Sequence, residues 1–205
     1  ECLHAAELAG ALYEFSDASD ENLKEYWEIV GLAYRGLGDE RDRTVSVFNG
    51  PEPEVLRPAS EAEEIAAVAA WIGRALADGI TPAEVGVFVR GREQMARARA
   101  VVSALGQEAF ELSERDEAPG QRLPIGTMHL AKGLEFKAVA VMACDDDALP
   151  QRTRIETAAD EVELDDVYET ERHLFYVACT RARDRLLVSG VAPASEFFGD
   201  LFPVE

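Results

Sequence analysis

The sequence predicts an α/β domain built on a mostly parallel sheet. Three observations carry that expectation. Short apolar runs, VGVFV at 85–89, AVAVMA at 138–143 and LLV at 186–188, suit strands covered on both faces. Segments of helical periodicity lie between them. The two kinds of element alternate along the chain, which is the pattern of a parallel sheet flanked by helices.

Taken in order, residues 2–15 read as a short helix whose apolar side is Leu3, Leu8, Leu12 and Phe15. Asp17 to Asp20 is a polar break, and a second helix is expected over 21–34, with Leu23, Tyr26, Trp27, Val30 and Ala33 at helical spacing. Gly36-Leu37-Gly38 opens a loop. Thr44 to Phe48 alternates as a strand and stops at Asn49-Gly50-Pro51. These features divide the chain into a helical segment, 1–43, and a main domain, 44–205.

Within the main domain, Glu54 to Arg57 is a short strand candidate. Ser60 followed by Glu63 gives a capping-box-like start to a helix running to Ala77, with Ile65, Val68, Ala69, Ile72 and Leu76 inward and Asp78-Gly79 as its stop. A strand over 84–89 and an Arg/Ala-rich helix over 93–105 follow. Phe110 to Leu112 is a weak strand and 114–121 a polar loop. Strands are expected at 123–126 and 138–143. The acidic tract from Asp145 to Asp166 reads as a surface excursion. Then comes ETERHLFYVACTRARDRLLV, residues 169–188: a helix facing the core through Leu174, Phe175, Val177 and Ala178, with Glu171, Arg172 and His173 in water, ending in a buried strand. The tail from Val191 is expected to dock through Phe197, Phe198 and Phe202.

The chain has 205 residues, 47% of them hydrophobic, enough for a substantial core and against disorder. No stretch approaches a transmembrane helix, and Glu1-Cys2-Leu3-His4 lacks a basic signal start. Cys2, Cys144 and Cys179 form no CxxC or Cys/His pattern, so reduced thiols in a cytoplasm are expected. The missing initiator methionine predicts a fragment or a processed chain. Asp145-Asp146-Asp147 lacks an EF-hand spacing and reads as solvated charge, so no metal site is expected. A net charge of −20 repels phosphates, so any nucleic-acid contact must be local or shared with another domain.

Chemistry concentrates in two stretches. Thr127-Met128-His129-Leu130-Ala131-Lys132-Gly133-Leu134-Glu135-Phe136 lies between two strands, where an open sheet binds ligands at strand carboxyl ends. Thr, His and Lys supply donors for a phosphate chain, Gly133 permits a tight turn, and Glu135 can accept from a ribose hydroxyl or a cation. The second stretch crowds Thr180, Arg181, Arg183 and Arg185 into a helix-to-strand turn, as a phosphate-facing edge does. The alternative is that these arginines complement the negative end of the helix.

Together the two stretches resemble motifs V and VI of superfamily 1 helicases of the UvrD/Rep type, which read roughly TxHxxKGLEF and ERRLxYVxxTRA. The acidic segment ending at Pro150, the strand VGVFVR and its following helix are also similar to that family, so the resemblance covers residues 50–191. It implies the second RecA-like motor domain of an ATP-dependent DNA helicase, in a P-loop-NTPase-type fold. In such motors ATP with magnesium lies between two RecA-like domains. The first holds the phosphates and the metal, and the second contributes an arginine finger. Arg181 matches that arginine, whose planar charged fork suits a transition state with spread negative charge. Glu135 matches the glutamate near the nucleotide sugar, with Lys132 and Gly133 beside it. Thr127 and His129 match positions that touch DNA or couple it to the ATP site. Arg172 and Tyr176 match supporting positions.

The sequence departs from the family at His173 and Leu130, and Tyr34-Arg35 is the candidate for its motif IV pair. No large insertion separates Arg90 from Thr127. No GxxxxGK[ST] phosphate loop and no DExx pair occur, so the chain alone is expected to be inactive; separately, the isolated domain is expected to be a monomer. Its partners by this reading are DNA and a first motor domain. The alternative is a non-catalytic, helicase-like module that binds a protein partner through its acidic surface.

Overall fold

A computed structural model describes residues 51–113 and 119–201. The expected helices over 2–15 and 21–34, the strand over 44–48, the boundary at 43/44, Tyr34-Arg35 and Phe202 lie outside the described residues.

Six parallel strands form one sheet: β1 (Glu54–Leu56), β2 (Val85–Val89), β3 (Ala109–Glu111), β4 (Leu123–Thr127), β5 (Phe136–Val141) and β6 (Ala182–Ser189). Their spatial order is β1-β6-β5-β2-β4-β3. The central strands β2 and β5 pair from Val85 with Ala138 to Phe88 with Val141. All five residues of β2 are buried, which is why its sequence is continuously apolar rather than alternating.

Helices α1 (Glu61–Ala77) and α2 (Met95–Ala104) cover one face. Val68, Ile72 and Ala75 of α1 and Ala98, Val101 and Val102 of α2 pack with Val85, Val87 and Val89, the alternate residues of β2 that point their way. The start of α1 is close to expectation. Ser60 Oγ accepts from the Glu63 N–H at 3.3 Å, but the Glu63 carboxylate reaches back one residue further, to the Ala59 N–H. The expected 93–105 helix begins instead as a 3-10 turn, Arg92–Gln94, before α2.

The other face carries α3 (Arg152–Thr157) and α4 (Glu161–Cys179), with Asp160 capping α4 by accepting from the Glu163 N–H at 2.9 Å. Gly86 opens this face. A Cβ there would come within 2.8 Å of the Phe136 ring, which lies edge-on to Phe88 at 5.8 Å. Phe197 and Phe198 are buried against Phe175 of α4, as the tail was expected to dock, and a short helix, α5 (Phe198–Leu201), ends the described chain.

Two expectations are corrected here. The Asp145–Asp166 tract is not wholly a surface excursion. Ala148, Leu149 and Pro150 are buried, and Asp145 accepts from Arg97 and from the Val191 N–H at 2.8 Å. The segment crosses from β5 to α3 pressed on the domain because its Ala-Leu-Pro is apolar and its first carboxylate is paired. Glu171, expected in water, is fully buried, because Arg90 and Arg154 neutralise it; Leu174 is only half-buried. Among the described residues no helix is long and apolar enough to cross a membrane.

Candidate functional site

The stretch from Thr127 to Phe136 runs from one end of the sheet to the other. Thr127 closes β4 at its carboxyl end, and one 3-10 turn, Met128–Ala131, follows. Met128 and Ala131 are buried and anchor the turn, leaving His129 exposed. Lys132, Gly133 and Glu135 are exposed, and Phe136 begins β5. Gly133 has φ +76°, and nothing lies within 4 Å of a Cβ built there. Backbone conformation, not crowding, requires glycine at this point.

The expectation that all these residues gather at strand carboxyl ends therefore fails for half of them. Thr127 and His129 are at the carboxyl end of β4. Gly133 and Glu135 stand before the amino end of β5, because a parallel connection must travel back along the sheet before the next strand starts. In register Thr127 stands level with Val89 of β2 and Ala138 of β5 with Val85, so Thr127 lies further along the sheet than the start of β5.

At the amino edge the second stretch joins the first. The Phe136 N–H donates to the Arg181 carbonyl at 2.9 Å, and Phe136 stands beside Ala182 in the β5–β6 pairing. The Arg181 side chain is half-buried. Its Nε donates to the Val177 carbonyl at 2.9 Å, Nη1 to the Leu134 carbonyl at 3.3 Å, and Nη2 to Thr180 Oγ1 at 3.1 Å. Of five guanidinium N–H groups, three are thus committed and, among the described residues, two remain. Arg181 complements the α4 carboxyl end, as the bland alternative expected, and at the same time reaches the Leu134 carbonyl in the turn that carries Glu135. Arg185 is tied to Asp78 at 2.8 Å, while Arg183 is exposed. Arg172 lies over the Phe197 ring at 5.0 Å, and Tyr176 is buried, so both belong to the packing of α4.

At the carboxyl edge a cleft of about 960 Å³ opens over the ends of β2, β4 and β3. Arg90, Arg92, Arg99, Thr127, His129 and Gln151 contribute polar groups to its lining, over apolar Met95, Leu112 and Leu130. Gly126, in its floor, leaves room for Leu112, which a Cβ would meet at 3.1 Å. Although His129 is largely exposed, partial removal of its ring from water on the cleft side, reinforced by the nearby positive charge of Arg90, holds the imidazole below its ordinary pKa. It is therefore mainly neutral at pH 7.

One residue of this site was missed. Glu171, on α4, accepts from Nε and Nη2 of Arg90, from Arg154 Nη1 at 2.8 Å and from the Gln151 N–H at 3.1 Å. Burial pushes its carboxyl up in pKa, but the hydrogen bonds and charge of Arg90, with Arg154 and the Gln151 N–H, outweigh that and hold it below the usual range. The signal was available in its spacing. Glu171 lies four residues before Phe175 and seven before Ala178, on the apolar stripe. Among the described residues no group of three His, Cys, Asp or Glu side chains is placed to hold a metal ion.

The segment that contains both edges is similar to known proteins. Residues 101–192 match the family model of the UvrD-like helicase C-terminal domain. The ATP-dependent DNA helicase UvrD1 of Mycobacterium leprae is 40% identical over 91 residues, 43% of this chain and 11% of that protein. UvrD2 of Mycobacterium tuberculosis, also named an ATP-dependent DNA helicase, is 29% identical over 193 residues, 84% of this chain and 26% of that protein. The chain thus covers between 11% and 26% of the length of these curated relatives. The crystal structure of the C-terminal domain of a possible DNA helicase from Lactobacillus plantarum superposes with a TM-score of 0.50 at 23% identity, covering 78% of this chain and 86% of that one. That likeness supports the fold.

Proposed function

We propose that this chain, which matches the family model of the UvrD-like helicase C-terminal domain across residues 101–192, is the second RecA-like motor domain of an ATP-dependent DNA helicase. One observation supports the reading above the others. Arg181 bonds the carbonyl of Leu134, so the arginine and the Gly133–Glu135 turn form a single unit at the amino edge of the sheet.

In this reading the two remaining N–H groups of Arg181 meet the γ-phosphate of an ATP held mainly by a first motor domain. The Val177 and Leu134 carbonyls orient the fork beforehand, so little rearrangement is needed as charge spreads over the phosphoryl oxygens. Glu135 accepts from the sugar, and Lys132 and Gly133 complete that side. Magnesium, whose charge would neutralise the phosphates, is ligated by the first domain. Thr127 and His129 face DNA across the sheet, and α4, whose buried Glu171 holds the cleft-lining Arg90 and Gln151 and whose last residue Cys179 is followed by Thr180 and Arg181, links the two edges.

The reading is tested on this polypeptide by filter binding and ATP turnover. It predicts weak, salt-sensitive binding to single-stranded DNA, because only part of the strand-tracking groove is present, and no hydrolysis of ATP. Tight binding that resists salt, or turnover by this chain alone, contradicts it.

A further inference from the structure

The cleft at the carboxyl edge holds a cation already engaged by the protein itself. Arg99, on α2, and Glu111, the last residue of β3, both line it. Arg99 Nε donates to Glu111 Oε1 at 2.7 Å and Nη2 to Oε2 at 3.1 Å, two parallel bonds that close the fork. The two side chains are 51% and 52% exposed, so the pair sits at the wet margin of the cleft rather than within the core. The contact raises the pKa of Arg99 and lowers that of Glu111, so both stay charged through the neutral range.

A phosphodiester offers a guanidinium the same paired acceptor oxygens that a carboxylate does. We propose that Glu111 is a built-in competitor for the backbone phosphate that Arg99 would otherwise bind, so that the pair gates the cleft by anion exchange. An incoming single strand takes the Arg99 fork and releases Glu111. The exchange is cheap because an exposed ion pair is weak, and it is selective because only a phosphate chain, held at several points, displaces a tethered carboxylate. Glu111 thereby weakens stray anion binding and lowers affinity for the strand. This inference rests on the DNA-facing reading of the cleft.

The test is fluorescence anisotropy of a labelled oligothymidylate with the full chain, across a salt series. The proteins compared are wild type, Glu111→Gln, Arg99→Ala, the double variant, and Glu93→Gln as a second acid of the cleft lining. Glu111→Gln is expected to tighten binding about two- to five-fold at low salt, the range an exposed pair can supply. It should also steepen the log–log salt slope by at most about 0.7, the share of one phosphate on a single strand, because the counterion released at Arg99 is no longer offset by setting the Glu111 charge free. In the Arg99→Ala background the gain should vanish, and Glu93→Gln should give less of it. An unchanged affinity in Glu111→Gln overturns the gate while leaving the cleft's reading in place. A gain that persists without Arg99, or that Glu93→Gln matches, reduces the effect to general charge and also overturns it. If neither wild type nor Glu111→Gln binds the strand, the DNA-facing reading fails and the gate with it.

Discussion

Arg90, immediately after β2, closes both arms of its guanidinium onto the carboxylate of Glu171 in the middle of α4. Their side chains are 5% and 0% exposed. This pair ties the carboxyl edge of the sheet to the helix that ends at Cys179, two residues before Arg181. It also explains how an ionised glutamate survives without water: Arg154 and the Gln151 N–H occupy its remaining acceptor sites.

Glu171→Ala should therefore destabilise the chain by about 3–5 kcal/mol in urea unfolding, since it leaves a buried guanidinium uncompensated. The pH dependence has a definite sign. The folded carboxyl titrates below its unfolded value of about 4.3, so its contribution is complete above that pH and is lost as pH falls through the lower, folded value. The acid limb of the stability profile should be shallower in Glu171→Gln than in wild type. Parallel limbs would mean that Glu171 does not titrate with folding.

Gly133→Ala should cost about 1–2 kcal/mol although the new methyl meets nothing, because φ +76° is left-handed backbone. Asn at this position should cost less. Equal stability of Gly133→Ala and wild type by the same unfolding measurement would show that the turn relaxes out of this conformation.

Gly86→Ala meets the Phe136 ring at 2.8 Å and the Phe88 ring at 2.9 Å, and overpacking of this kind costs about 1–3 kcal/mol. The cost should shrink in a Phe136→Leu background, because removing the ring frees the space. A double-mutant cycle reads the coupling directly, and additive effects would rule out the contact as its source.

Much of the fold was legible because central parallel strands are apolar on both faces. β2 and β5 therefore stood out, and Ser60 with Glu63 marked the start of α1. β3, three residues at the sheet's edge, carried little signal. The Asp145–Pro150 segment misled because charge density suggested exposure, whereas Arg97 pairs Asp145 and draws the following Ala148 and Leu149 inward. The candidate site was legible as two motifs, but not as two edges of one sheet. Spacing along the chain does not say that Thr127 and Glu135, eight residues apart, stand at opposite ends of two strands, β4 and β5, that lie on either side of β2. Nor could it say that Arg181 would spend three donors on its own backbone and Thr180. Glu171 was overlooked because a glutamate between charged neighbours reads as solvated until its partners, Arg90 and Arg154, are seen beside it.

The central claim is that Arg181 completes an ATP site whose remainder lies in a first motor domain. DNA-stimulated ATP turnover by Arg181→Ala in a polypeptide that carries this domain beside the proposed first motor domain, measured alongside ATP binding, tests it most directly. The account predicts a fall in turnover on the order of 10³- to 10⁵-fold with ATP binding largely retained. Wild-type turnover in that variant would contradict it.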